Sequence, residues 1–339
     1  MASRLLKQWN QSKETLFSQS AQRRIWLPVG IVFLLGAIAF PFIGTGYWIR
    51  VLTSAFMYVG LASSLNIIMG YTGYTDFGNV VFFGVGAYTT GVLVGQFNFP
   101  LPLAVLCGAL LCSLYAALLG LPLLRLRGHY FSIATIGVMD ATREIVTNMK
   151  ITGGGMGMSF PIFDISPQMF NMLAYYIMLG LAALYVLASF LIRRSRFGFG
   201  LRAIRADEQA AGISGIPTTR FKVTAWMISA FMTGTLGGVF GLWFSFVEPS
   251  DVFDIMISLK FMIMVLIGGA GTVFGPVIGA FFMEIVSELV WGRFLELHMG
   301  ILAIIVILTV IFVPKGILHY VQNRIGLKGI LAEMRQNKI

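Results

Sequence analysis

The chain has 339 residues, of which 57% are hydrophobic, 14% aromatic and only 11% charged. Soluble globular proteins carry about 25% charged residues, so this composition, with a mean hydropathy of +0.84, excludes a water-soluble enzyme, a disordered chain and a collagen-like repeat. The net charge of +10, from 24 Lys+Arg against 14 Asp+Glu, reads as the basic cytoplasmic loops of a membrane protein and not as a nucleic-acid surface.

Residues 1–25 form a basic tail, with Arg4, Lys7, Lys13, Arg23 and Arg24 against Glu14. It lacks a short apolar core followed by a small-residue cleavage site, so no cleaved signal peptide is expected. Apolar runs follow at 26–44, 48–69, 79–97, 101–124, 129–147, 171–192, 223–247, 256–269, 275–291 and 299–313. A membrane span needs about 20 predominantly apolar residues. Helix is the open-ended structure that satisfies its own backbone in lipid. The expected fold is therefore all-α: a polytopic integral membrane protein with about 10 (8–10) transmembrane helices over 26–313 and a C-terminal tail at 314–339.

Charge sets the orientation. With the N-terminus inside and ten crossings, 19 of the 24 Lys+Arg fall on the interior side, seven of them in the loop 193–222. The exterior loop 248–255 carries Glu248, Asp251 and Asp254 instead. Both termini inside satisfies the positive-inside bias, and eight crossings with two re-entrant runs satisfy it nearly as well.

From residue 129 onward, three runs carry charge. Asp140, Arg143 and Glu144 share one helical turn in the run 129–147. Lys260 lies near the start of 256–269. Glu284 and Glu288 are four residues apart in 275–291, with no basic residue in that run and Arg293 as one candidate partner. Such residues must face the bundle interior or a water-filled path. For the Asp140 cluster two readings stand level: an internally neutralised structural group, or a polar patch on a path.

The loop 193–222 reads RRSRFGFGLRAIRADEQAAGISGIPTTRFK. Leu201 to Ala211 predicts a short helix, ended by Gly212 or Gly215 with Pro217 beyond. An amphipathic connector on the headgroups is one reading. The small residues of 206-ADEQAAGISG-215 leave little apolar surface for lipid and favour close approach by a partner protein.

Glycine clusters at 70-GYTGYTDFGNVVFFGVG-86, at 152-TGGGMG-157 and at 268-GGAG-271 with Gly275-Pro276. Glycine permits both close helix packing and broken helices that line a cavity. The last cluster reads as close packing or a tight turn. The middle one reads as an exterior loop, with a role at an external mouth as the other reading. The first, holding Asp76 and Asn79, is balanced between packing and binding. No phosphate-binding loop, HExxH, CxxC or GxSxG motif occurs. His129, His298 and His319 lie far apart, and Cys107 and Cys112 sit inside one apolar run. No catalytic residue, metal site or cofactor bound by this chain is expected.

Five stretches carry a family resemblance. They are 61-LASSLNIIMGYTGYTDFGNVVFFGVGAYT-89, 124-LRLRGHYFSIATIGVMDATREIVTN-148, 152-TGGGMG-157, 198-GFGLRAIRADEQAAGISGIPTTRFKVTAWMISAFMTGTLGGVFG-241 and 264-MVLIGGAGTVFGPVIGA-280. The chain resembles the permease subunits of bacterial ABC importers for branched-chain and other hydrophobic amino acids, the LivM-type branch. Glu208-Gln209-Ala210-Ala211 with Gly215 is similar to that family's Glu-Ala-Ala…Gly motif.

The resemblance implies an importer-permease fold with broken helices and a cytosolic coupling helix in the bacterial inner membrane. It implies a transport subunit, not an enzyme, with ATP and Mg held by two cytosolic ATPase subunits. The other implied partners are a homologous second permease, an extracytoplasmic substrate-binding protein and membrane lipid. ATPase-coupling residues would be Arg202, Arg205, Asp207, Glu208, Ala210, Ala211 and Gly215. Translocation-path candidates are Asn66, Tyr71, Asp76, Asn79, Tyr130, Thr135, Asp140, Gly153 and Gly154. Two positions depart from the family pattern: Gly155 stands where it has Pro, and Gln209 where a smaller or apolar residue is usual. The alternatives are a urea or amide ABC permease, or a stand-alone secondary transporter using Asp140, Glu284 and Glu288 as coupling carboxylates.

Overall fold

The computed structural model describes residues 35–42, 44–126, 128–161, 166–291, 300 and 316–318. The basic tail at 1–25, the run 299–313 apart from residue 300, Arg293 and nearly all of 314–339 lie outside the described residues. Two units are distinguished, up to Ile49 and from Arg50 onward. The first holds helical residues 35–39, a 3-10 turn at Phe40–Phe42 and the opening turn of a long helix, where Tyr47 and Trp48 meet edge to face at 5.6 Å.

That helix is α1 (Gly46–Leu65), which passes into a π-helical turn at Asn66–Gly70. After a turn come α2 (Val80–Gly95), α3 (Leu101–Leu123) and α4 (His129–Asn148). Two 3-10 turns, Lys150–Thr152 and Gly154–Met156, lead to a short strand, β1 (Met158–Ser159). The long α5 (Pro167–Arg194) is followed by α6 (Arg196–Ala206), α7 (Glu208–Ile213) and α8 (Thr218–Phe244). A second strand, β2 (Phe246–Val247), pairs antiparallel with β1, Met158 facing Val247. Then come α9 (Pro249–Val252), α10 (Ile255–Gly268) and α11 (Gly275–Trp291).

Eight of the ten apolar runs coincide with α1, α2, α3, α4, α5, α8, α10 and α11. The ends differ where polar residues continue a helix past its apolar part. Backbone hydrogen bonding does not stop at the edge of the lipid. Thus α8 begins at Thr218, and α5 begins at Pro167 behind Ser166, whose Oγ accepts from Met169 N at 3.3 Å. Among the described residues, four helical stretches are long and apolar enough to cross a membrane: Gly46–Gly70, Leu101–Leu123, Pro167–Arg194 and Thr218–Phe244.

The core is built where α8 lies against α2 and α3, and glycine makes the approach possible. A Cβ on Gly86 would run into the Gly234 carbonyl oxygen, and one on Gly237 into the Phe83 carbonyl oxygen. Backbones in direct contact replace side-chain interdigitation, as membrane helices with small residues do. Cys112 is buried against the same seam, its Sγ 3.2 Å from the Phe82 carbonyl oxygen. The 268–276 cluster is a tight hairpin between α10 and α11. There Gly268 abuts the Gly275 carbonyl and Gly279 the Met264 carbonyl.

Candidate functional site

The loop 193–222 contains two helices where the sequence predicts one. Asp207 breaks the helix expected over Leu201 to Ala211. Its backbone is extended, at φ −161 and ψ 112, and its Oδ1 accepts from Gln209 N (2.8 Å) and Ala210 N (3.0 Å). This is an N-cap, which satisfies donors that the first turn of α7 leaves open. Gly215, at φ +84, closes the segment in the left-handed region, with Ile216 N donating to Ala211 O at 3.1 Å.

Two side chains fasten this loop to the membrane helices. Arg205 Nη1 donates to the Gly70 carbonyl oxygen and lies 3.3 Å from Ala270 O. Glu208, the first residue of α7, forms an ion pair with Lys222 on the first turns of α8, Oε1 to Nζ 2.7 Å. Lys222 Nζ also donates to the Tyr74 hydroxyl (2.8 Å) and to Leu124 O (2.7 Å). The Tyr74 hydroxyl in turn donates to Glu208 Oε2 at 2.6 Å. Arg202 stays local, with Nε 3.3 Å from Gly198 O. Ala211 is buried, while Ala210 and Gly215 are exposed.

Beneath the loop lies a polar core. Asp76 is fully buried and accepts from Gly78 N (3.1 Å), Asn79 Nδ2 (2.9 Å) and Trp226 Nε1 (2.7 Å). Asn79 reaches Ser229 Oγ (3.3 Å) and accepts from Thr233 Oγ1 (3.0 Å), which meets Ser64 Oγ at 2.8 Å. Thr135 Oγ1 donates to Ser132 O (2.8 Å) and accepts from Gly78 N at 3.3 Å. Buried polar groups this well matched rigidify a core. Asn66 holds the α10–α11 turn through Thr272 O and Gly271 N, both at 2.8 Å. The Tyr71 hydroxyl meets Ser189 Oγ on α5 at 2.7 Å.

Of the path candidates, Asn66, Tyr71, Asp76, Asn79 and Thr135 are thus buried within this chain. Tyr130 and Asp140 lie apart from them, on the outward face of α4. Tyr130 is 75% exposed and Ile133 67%. Gly137, Asp140, Ala141, Glu144 and Asn148 continue the stripe. Among the described residues no ion pair joins Asp140, Arg143 and Glu144; Glu144 Oε1 accepts from Asn148 Nδ2 at 2.9 Å. Gly153 and Gly154 follow this helix with φ of +79 and +64, turning the chain toward the β1–β2 pair.

A second membrane ion pair answers the question Glu284 posed. Lys260 on α10 lies 2.9 Å from Glu284 Oε2 on α11, and its ammonium stands 4.1 Å from the Tyr58 ring centroid. The cation comes from the opposite arm of the hairpin, whereas the sequence candidate Arg293 lies outside the described residues. Sequence reasoning also missed Tyr74, Lys222 and Trp226. Lys222 was legible only as a basic residue at a span edge. Its partners Tyr74 and Leu124 are 148 and 98 positions away.

The loop is thus fastened at two points to a set of long apolar helices. Comparison with known proteins gives the class, a transport permease. The family of the branched-chain amino acid transport system permease component matches residues 47–310. The chain belongs to that family and is a multi-pass membrane protein. It is a permease component of a transport system and not an enzyme. It is 28% identical over 335 residues to the high-affinity branched-chain amino acid transport system permease protein LivM of Salmonella typhimurium, covering 90% of this chain and 78% of that protein. The figures are the same for LivM of Escherichia coli. A 128-residue stretch is 28% identical to LivH of Escherichia coli, covering 38% of this chain and 41% of LivH. No solved structure matches the chain.

Proposed function

We propose that the chain is one of two homologous permease subunits of an ATP-driven importer in the bacterial inner membrane. The solutes are branched-chain or other neutral, hydrophobic amino acids delivered by an extracytoplasmic binding protein. Both termini and the loop 193–222 face the cytoplasm, where α7 meets an ATPase subunit. The observation that carries this reading is the loop itself: a short helix, capped by Asp207, exposing Gln209, Ala210 and Gly212 while its neighbours Arg205 and Glu208 grip the bundle. An exposed small-residue face admits a close partner, and a fastened helix passes rigid-body motion into the membrane. The likeness to both LivM and LivH supports pairing with a homologous subunit.

The solute path in this reading runs along the outward face of α4. A charge at the bilayer centre costs about 2.5–3.5 kcal/mol on insertion scales. Asp140 and Glu144 on an exposed stripe therefore belong against water and a second permease, not lipid. The buried candidates Asn66, Tyr71, Asp76, Asn79 and Thr135 form the scaffold that holds α4 and the loop in place. Gly153 and Gly154 sit at the external mouth.

The test is purification of a tagged chain from its native membrane with whatever ATPase accompanies it, followed by reconstitution. ATP hydrolysis and uptake are then measured with a binding protein loaded with Leu, Ile, Val or urea. Stimulation by Leu, Ile or Val supports the reading. Stimulation by urea alone moves the chain to the amide branch, and uptake driven by a proton gradient without ATPase overturns the importer.

A further inference from the structure

The geometry points to Glu208 as a positioning residue that latches the coupling helix to the membrane bundle, rather than a group that touches the ATPase. This rests on the reading of α7 as the ATPase-docking helix. Both carboxylate oxygens are engaged within this chain, Oε1 by Lys222 and Oε2 by the Tyr74 hydroxyl. An ammonium has three donors, and Lys222 spends them on Glu208, the Tyr74 hydroxyl and Leu124 O. The Lys222 side chain is 3% exposed and that of Glu208 18%. One knot therefore ties four elements: α7, the turn before α2, the C-terminal end of α3 and the first turns of α8.

The knot continues into the core. The Tyr74 ring meets Phe131 of α4 edge to face at 5.3 Å, and Phe131 meets Trp226 of α8 at 5.8 Å. Trp226 Nε1 donates to Asp76. A push on α7 therefore meets packed, hydrogen-bonded groups all the way to the α2–α8 seam. Without the latch, α7 keeps its cap and its exposed face but loses its stiff link to the bundle. ATP hydrolysis would then proceed with less transport.

A buried ion pair has a signature that distinguishes this role. Removing one partner leaves the other charge buried and unpaired, whereas removing both relieves that penalty. The experiment compares Glu208→Gln, Lys222→Met and the double variant in the purified complex. Three quantities are read: ATPase copurified per tagged chain, ATP hydrolysed, and solute transported per ATP. The expected result is undiminished copurification, with transport per ATP reduced roughly tenfold in Glu208→Gln. The double variant should be no worse than either single one.

If Glu208→Gln sheds the ATPase while Lys222→Met retains it, or if the two losses multiply, Glu208 acts on the partner and the latch is overturned. Tyr74→Phe, which deletes the hydroxyl that joins Glu208 Oε2 to Lys222 Nζ but keeps their ion pair, replaces Glu208→Gln if that variant fails to accumulate in the membrane. It should show the same uncoupling in milder form. If the unaltered chain itself brings down no ATPase, the docking reading fails, and the latch loses its function with it.

Discussion

The two polar regions of this permease differ in one respect, and that respect separates scaffold from surface. Around Asp76 every charge and amide is matched: three donors meet one carboxylate, and Asn79 bridges Ser229 and Thr233. On the outward face of α4, Asp140 and Glu144 stand exposed, and no ion pair binds them to Arg143 among the described residues. Both regions look alike as sequence, each a few polar residues in an apolar stretch. Saturated polarity inside a bundle specifies packing. Unsatisfied charge on the outside of a membrane helix requires water or a partner.

The contrast can be broken most severely at Asp76. Asp76→Ala leaves Trp226 Nε1 and one hydrogen of Asn79 Nδ2 without an acceptor, and Gly78 N with only Thr135 Oγ1 at 3.3 Å. At about 1–3 kcal/mol for each buried unsatisfied group, the detergent-solubilised protein should lose about 3–5 kcal/mol. Its thermal unfolding midpoint should fall clearly, and Asp76→Asn should lose less. An unchanged midpoint in Asp76→Ala would take Asp76 out of the scaffold.

A smaller but similar effect is expected at the α2–α8 seam. Gly237→Ala drives a Cβ into the Phe83 carbonyl oxygen, and overpacking of this kind costs about 1–3 kcal/mol. Gly137→Ala, on the open face of α4 with nothing near its Cβ, is the control that should not destabilise.

The α4 face should behave in the opposite way to Asp76. Asp140→Asn and Glu144→Gln should move stability by no more than about 0.5 kcal/mol, as exposed substitutions do, while lowering solute uptake several-fold. Full uptake in both variants would mean that the stripe covers a partner without lining the path. The smallest effect is expected at Ser214, whose Oγ donates back to Ala210 O at 2.8 Å on the exposed end of α7. Ser214→Ala should leave stability and uptake nearly unchanged, and a large loss of copurified ATPase would place that hydroxyl in the contact.

Much of the fold was legible because hydropathy acts locally. Eight apolar runs became eight helices, and the glycines at 268–276 became a tight hairpin. The end of α7 at Gly215 was readable for the same reason: a left-handed residue after a short helix favours glycine. The break at Asp207 was readable in principle, since Asp followed by good helix formers is an N-cap signal. The single helix expected over Leu201–Ala211 passed over it. Burial of the path candidates was not legible. Asn66, Asp76 and Asn79 are residue types that could line a path or staple a core, and their partners Thr272, Trp226 and Thr233 lie 206, 150 and 154 positions away.

By itself, the sequence determined a helical membrane protein, the position of its longest basic loop and the family to which it belongs. These follow from the free energy of apolar runs in lipid and from backbone conformations set by neighbouring residues. Only the tertiary structure decided that Glu208 pairs with Lys222, that Lys260 answers Glu284, and that Asp140 faces outward while Asp76 is sealed inside. A charge has no fixed meaning along the chain. Its cost and its role depend on which helix faces meet, and that is settled by close contacts such as Gly86 against Gly234, between positions far apart in sequence.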